Sequence, residues 1–118
     1  MGIEIFKHQK ETVVFTAGQT IFKEGEPGDV MYGVIEGEIN VFIGERLIDV
    51  EKSGGILGEM SLIDSSARMA TAIAKTNCKL APIDQRHFQF LVQQTPYFAI
   101  EVMRVLAERL RKAHLKTA

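Results

Sequence analysis

Glu59 and Arg68 are the two side chains whose types and spacing most suggest a chemical site in this chain. They stand nine residues apart in the stretch Gly58-Glu59-Met60-Ser61-Leu62-Ile63-Asp64-Ser65-Ser66-Ala67-Arg68-Met69-Ala70-Thr71. A carboxylate accepts hydrogen bonds from hydroxyls, and a guanidinium presents a rigid fork of donors that matches the oxygens of a phosphate. Gly58 has no Cβ, so backbone N–H groups can come close to a ligand at the start of the following turn, where helix-terminal donors favour an anion. Taken alone, Gly58-Glu59 reads first as a solvated loop carboxylate, and Arg68 as a surface ion pair with Glu59 or Asp64. The surrounding elements decide between these readings.

Eight of the ten glycines, at positions 18, 25, 28, 33, 37, 44, 54 and 55, fall between or beside short apolar runs in the first half. Residues 13–15, 20–22, 31–35, 38–43, 46–50, 70–74 and 79–83 read as strands. The run 38–43 alternates best, with Ile39, Val41 and Ile43 on one face. Gly44-Glu45 suits a two-residue type II' hairpin with glycine first, and Pro27-Gly28 suits a type II turn. Short, closely spaced strands with such turns predict a small sandwich or barrel. After Pro82 the pattern becomes helical. Asp84 is the expected N-cap of a short helix over 85–94, and Thr95-Pro96 opens a second helix running to about residue 116. Ala99, Val102, Met103, Leu106, Leu110 and Ala113 form its apolar stripe, read as core packing with a partial dimer seam as the alternative. Arg104, Arg109, Arg111 and Lys112 gather toward its C-terminal half, where the helix dipole favours cations. At 1.5 Å per residue it would span roughly 30 Å.

The chain has 118 residues, enough for one domain with a true core. Its apolar content is 46% and its net charge −1, so no global field draws it to nucleic acid or to an anionic membrane. Cys78 is the only cysteine, which excludes an intrachain disulfide and fits a cytoplasmic setting. No apolar run approaches a membrane span, and residues 1–10 lack the apolar core of a signal peptide. His8, His87 and His114 lie outside the expected strands and far apart, so no metal-binding jelly roll is indicated. No Ser or Cys stands in a nucleophile motif with a His partner. Gly54-Gly55 is not a P-loop. An enzyme is not expected.

The stretch from Gly58 to Thr71 resembles the phosphate-binding cassette of the cyclic-nucleotide-binding domain family, of the catabolite activator and protein kinase A regulatory subunit type. That family places an Arg nine residues after its Gly-Glu pair, as here. The likeness extends to Ala17-Gly18-Gln19-Thr20-Ile21-Phe22-Lys23-Glu24-Gly25-Glu26-Pro27-Gly28-Asp29, to Met31-Tyr32-Gly33-Val34-Ile35-Glu36-Gly37, and to Leu106-Ala107-Glu108-Arg109-Leu110. It thus covers about residues 12–112. The fold it implies is mainly β with C-terminal α: a β jelly roll over about 12–83, then two helices over about 84–116, the last one long, all in one domain. The ligand-binding residues it implies are Gly58, Glu59, Met60, Ser61, Arg68, Met69 and Ala70. Arg109, Ala113 and His114 are the positions of a possible lid on the last helix.

Leu57, Ser61 and Ala67 depart from the residues usual at those places in the family. Met69 departs more consequentially. Relatives that prefer cGMP carry a Thr or Ser there for the guanine amino group, and a thioether is only a weak acceptor. The resemblance therefore implies cAMP as ligand, with cGMP less favoured and no catalytic cofactor. Ala113 and His114 do not reproduce the Thr-Ser pair that contacts the base in catabolite-activator-like relatives. The implied partners are the cyclic nucleotide, a second copy through the last helix, or an effector protein. Two alternatives stay open: a nucleotide-free jelly-roll interaction module, and the sensory fragment of a longer transcription factor, kinase or channel.

Overall fold

The computed structural model describes residues 3–117, with side chains as far as residue 113. It divides into two compact units that meet between Gln85 and Arg86. The first opens with a 3-10 turn, Glu4–His8, and continues through strands β1 (Val13–Phe15), β2 (Thr20–Phe22), β3 (Val30–Glu36), β4 (Ile39–Ile43), β5 (Arg46–Glu51) and β6 (Ile56–Leu57). Helix α1 (Glu59–Asp64) follows, then β7 (Thr71–Ala74) and β8 (Cys78–Asp84). Two four-stranded sheets result, ordered β1-β8-β3-β6 and β2-β7-β4-β5, with every described pairing antiparallel. This is the double-sheet jelly-roll architecture that the short, glycine-punctuated strands predict.

The inner faces of the two sheets share one core. Val34, Ile39, Leu57, Ala72, Ala74, Cys78 and Leu80 are buried there, with Phe15, Phe22, Tyr32 and Val41 packed against them. Strands β3 and β8 also bury residues of the opposite parity, Met31, Ala81 and Ile83. Their sheet is therefore covered on both faces, as a strand without clean alternation implies. One cover is the 3-10 turn: the fully buried Phe6 ring lies so close to Gly33 that a Cβ there would come within 2.3 Å of it. The hairpin at Gly44 behaves as expected. Gly44 has φ +60, Glu45 does not join it at positive φ, and Ile43 pairs with Arg46.

Three points add to or correct the expectations. Strand β6 has only two residues, too few for any alternation to register, and its pairing with Tyr32 and Gly33 makes it a strand. Pro27-Gly28 does not form a type II turn, because Gly28 lacks the positive φ that turn demands. Asp84 is the last residue of β8, paired with Val30, and directly precedes α2, the place that the N-cap reading requires.

The second unit holds α2 (Gln85–Gln94), apart from its first residue, and α3 (Tyr97–Thr117). Thr95 donates its N–H to the Leu91 carbonyl at 2.8 Å, closing α2, and Phe98 N–H returns to the Thr95 carbonyl at 2.8 Å. Edge-to-face packing of Phe88 on Phe98, 5.4 Å between centroids, ties the two helices together. The expected apolar stripe of α3 splits. Val102 is buried and Leu106 half-buried, whereas Met103, Leu110 and Ala113 are exposed together with Ile100. At 100° per residue Val102 lies on one flank of that stripe and Met103 and Ile100 on the other. Among the described residues no helix is long and apolar enough to cross a membrane.

Candidate functional site

Gly58 sets the geometry of the cassette. It occupies the left-handed region, φ +73, directly before α1, a conformation that costs a side-chain-bearing residue about 1 kcal/mol or more. A Cβ there would also lie 2.3 Å from Arg68 Nη1. Glu59 then begins α1 and is buried, as is Ser61, whereas Met60 points outward. The helix lasts six residues and ends on Ser65, a non-glycine residue at φ +60. Asp64 closes this end by accepting from Ser66 N–H at 3.0 Å and Ser66 Oγ at 2.5 Å. Those hydrogen bonds hold its carboxyl below the usual carboxylate range.

Arg68 is buried, only 7% exposed, so it is not the surface ion-pair residue that its neighbours in sequence would allow. Its main chain is clamped by the β2–β3 loop: Arg68 N–H donates to the Glu26 carbonyl and Gly25 N–H to the Arg68 carbonyl, each at 2.8 Å. The same loop is tied down at Glu24, whose N–H donates to Thr71 Oγ1 at 3.0 Å. Within the guanidinium, Nη1 donates to the Gly58 carbonyl at 3.1 Å and Nη2 to the Val30 carbonyl at 2.7 Å. Nε is buried without a hydrogen-bond partner among the described residues. Burial lowers the Arg68 pKa, and the fields of Tyr32, Asp29, Glu26 and Glu59 act in the opposite sense. An arginine so placed remains a cation at every working pH. The Phe22 ring lies beneath it, 4.3 Å from Cζ to centroid, and stacks in turn on Tyr32 at 6.4 Å and 19°.

Gly28 acquires its role here rather than in a turn. A Cβ at Gly28 would lie 2.5 Å from Arg68 Nε, 2.6 Å from its Cζ and 2.7 Å from the Ser61 Cβ. Glycine at 28 is what lets the loop close on the arginine. Beside this contact runs an open cavity of about 630 Å³, bounded by Gly25, Pro27, Gly28 and Asp29 on one side and by Ser61, Leu62, Ser65, Ser66, Ala67 and Gln85 on the other. Neither Glu59 nor Arg68 lines it, so the cavity and the charged pair are neighbouring features, not one.

Of the residues singled out from sequence, Gly58, Glu59, Ser61 and Arg68 come together around α1. Met69 is 55% exposed and Ala70 half-buried, both on the segment leading into β7. Arg109 and Ala113 stand on α3 in the second unit, half-buried and exposed. The His114 side chain lies outside the described residues. Sequence reasoning missed the Val30 carbonyl, the Phe22 ring and the close approach at Gly28. The sequence shows Phe22 as part of a strand and of a family-like motif, and Gly28 as a turn residue, neither with a role at Arg68.

Comparison with known proteins gives a consistent picture. The family profile described as the cyclic nucleotide-binding domain matches residues 12–95. A Mycobacterium tuberculosis protein named CRP-like cAMP-activated global transcriptional regulator is 31% identical over 120 residues, covering 96% of this chain and 53% of that protein. The cAMP-dependent protein kinase regulatory subunit of Emericella nidulans is 37% identical over 84 residues, 70% of this chain and 20% of that protein. Among solved structures, the Thermus thermophilus catabolite activator protein superposes with a TM-score of 0.82 at 29% identity, over 91% of this chain and 53% of that one. The chain therefore spans about half the length of the two bacterial relatives and a fifth of the kinase subunit.

Proposed function

The chain belongs to the cyclic nucleotide-binding domain family, and on that premise we propose that it is a cAMP-preferring sensor module, cytoplasmic and without catalysis of its own. The observation that carries this reading is Arg68: a buried cation whose described hydrogen bonds go to main-chain carbonyls and whose Nε has no hydrogen-bond partner among the described residues. Burying such a charge is costly unless it meets a counter-charge. A cyclic phosphate supplies one. Arg68 would hold it together with the backbone N–H groups of Glu59, Met60, Ser61, Met69 and Ala70. The Glu59 carboxylate would accept from the ribose 2'-hydroxyl. Two of the relatives carry cAMP in their names, and Met69 offers no good partner to a guanine amino group.

In this reading α3 transmits the signal. Contacts to ligand from Arg109 and the 113–114 end, made only when the helix closes, would shift an open–closed equilibrium. The exposed Ile100, Met103 and Leu110 fit a seam with a second copy of the chain. An effector carried by a longer protein or by a separate partner would read the change. Thermal unfolding with and without nucleotide tests the binding itself. At 100 times its dissociation constant cAMP should stabilise the domain by about 2.7 kcal/mol. An unchanged transition at millimolar cAMP and cGMP would favour a nucleotide-free interaction module instead.

A further inference from the structure

We infer that Phe22 is a positioning residue for Arg68: its ring supports the guanidinium face-on and so presents the remaining donors to an anion. The inference rests on the nucleotide reading above and deepens it. The first observation is the contact. Cζ of Arg68 lies 4.3 Å above the Phe22 centroid, well inside the range in which a ring quadrupole attracts a cation. The second is the strand that delivers the ring. In β2, Thr20 pairs with Ile73 and Phe22 with Ala72, so two residues of β2 advance against one of β7 and Ile21 is the extra one. In regular pairing Phe22 would fall opposite Thr71 and face away from the core. The bulge turns it to the side of Ala72, which is fully buried in the core.

The third observation is the division of labour around the guanidinium. It has five N–H donors. Two go in-plane to the carbonyls of Gly58 and Val30, fixing the plane, and Nε has no partner among the described residues. Phe22 occupies a face and consumes no donor. A carboxylate placed against the group would do the opposite, saturating in-plane donors and repelling an incoming phosphate. A ring thus stabilises the buried cation while leaving it able to bind an anion. Tyr32, stacked on Phe22 at 6.4 Å and 19° and met edge-on by Phe15 at 6.4 Å and 89°, packs against the ring and helps to fix it. At Gly58 the missing Cβ leaves room for both groups, since it would lie 3.4 Å from Phe22 Cε2 and 2.3 Å from Arg68 Nη1.

The test replaces Phe22 by mono-, di- and trifluorinated phenylalanine, which keep the ring's shape while draining its negative face, and titrates cAMP calorimetrically. Affinity should fall stepwise with fluorination. Phe22→Leu should bind about 3- to 30-fold more weakly, and Phe22→Tyr should retain wild-type affinity. The Arg68 Nε–H resonance of the nucleotide-free protein, displaced by the ring current, should move in Phe22→Leu. Constant affinity across the fluorinated series, or an unmoved Arg68 resonance, would overturn the assignment. Should the wild type bind neither cAMP nor cGMP, the nucleotide reading fails on its own. The resonance then decides whether Phe22 orients Arg68.

Discussion

Arg68 and Glu59 show how far a residue's meaning depends on where the fold puts it. Their interval is plain in the sequence, and it is what made the segment 58–71 stand out. What the interval cannot convey is burial, because besides the Gly58 carbonyl Arg68 is held in the interior by partners distant in the chain: the Val30 carbonyl at 2.7 Å, the Glu26 carbonyl and the Phe22 ring. Those contacts depend on strand register and a bulge, which no local pattern encodes. Gly28 illustrates the same limit, since a glycine after proline reads as a turn residue, while its actual constraint is the arginine beside it. In the proposed reading the residue that bears on selectivity is Met69, exposed on the approach to β7. Met69→Thr should improve binding of cGMP relative to cAMP by about 0.5–1.5 kcal/mol, the worth of one net hydrogen bond. Parallel titrations of the two nucleotides check this. A wild-type domain with a clear preference for cGMP would mean that the base is read elsewhere.

The elements were more legible than their contacts. Seven of the eight strands follow from apolar runs and turn glycines, because an exposed turn advertises itself through residues that tolerate unusual φ. The eighth, Ile56–Leu57, was hidden because two residues carry no period. The sequence pattern gives α2 to the residue, whereas on α3 it marks one stripe, open to core packing or a partial dimer seam, of which the structure buries one flank and exposes Met103 and Leu110. Hydrophobicity at helical spacing marks a face without saying how much of it is covered. Helix α1 yields a prediction of its own. It ends on Ser65 at φ +60 and ψ 22, where an L side chain is strained and glycine is not. Ser65→Gly should therefore stabilise the domain by about 0.5–1 kcal/mol, after the entropic cost of glycine is deducted. Denaturant unfolding measures it, and a loss of stability would show that the Ser65 side chain contributes more than its backbone costs.

For the whole molecule, two sheets enclose one core, and α1 with the segment after it presents the cassette beside the β2–β3 loop. The sequence comparisons place this arrangement within the cyclic nucleotide-binding domain family. The chain is about half the length of its bacterial relatives and carries eight strands among its described residues, and it is this fold that the apolar runs and turn glycines make legible. The proposed nucleotide site rests on one buried cation, Arg68. Its most direct test is calorimetric titration of the wild-type chain and of Arg68→Ala with cAMP, with a circular dichroism melt to confirm that both are folded. The expected result is one saturable site in the wild type, weakened by about 2–5 kcal/mol in the variant, as truncating one side of a buried charge pair does. Equal affinity in two folded proteins would contradict it.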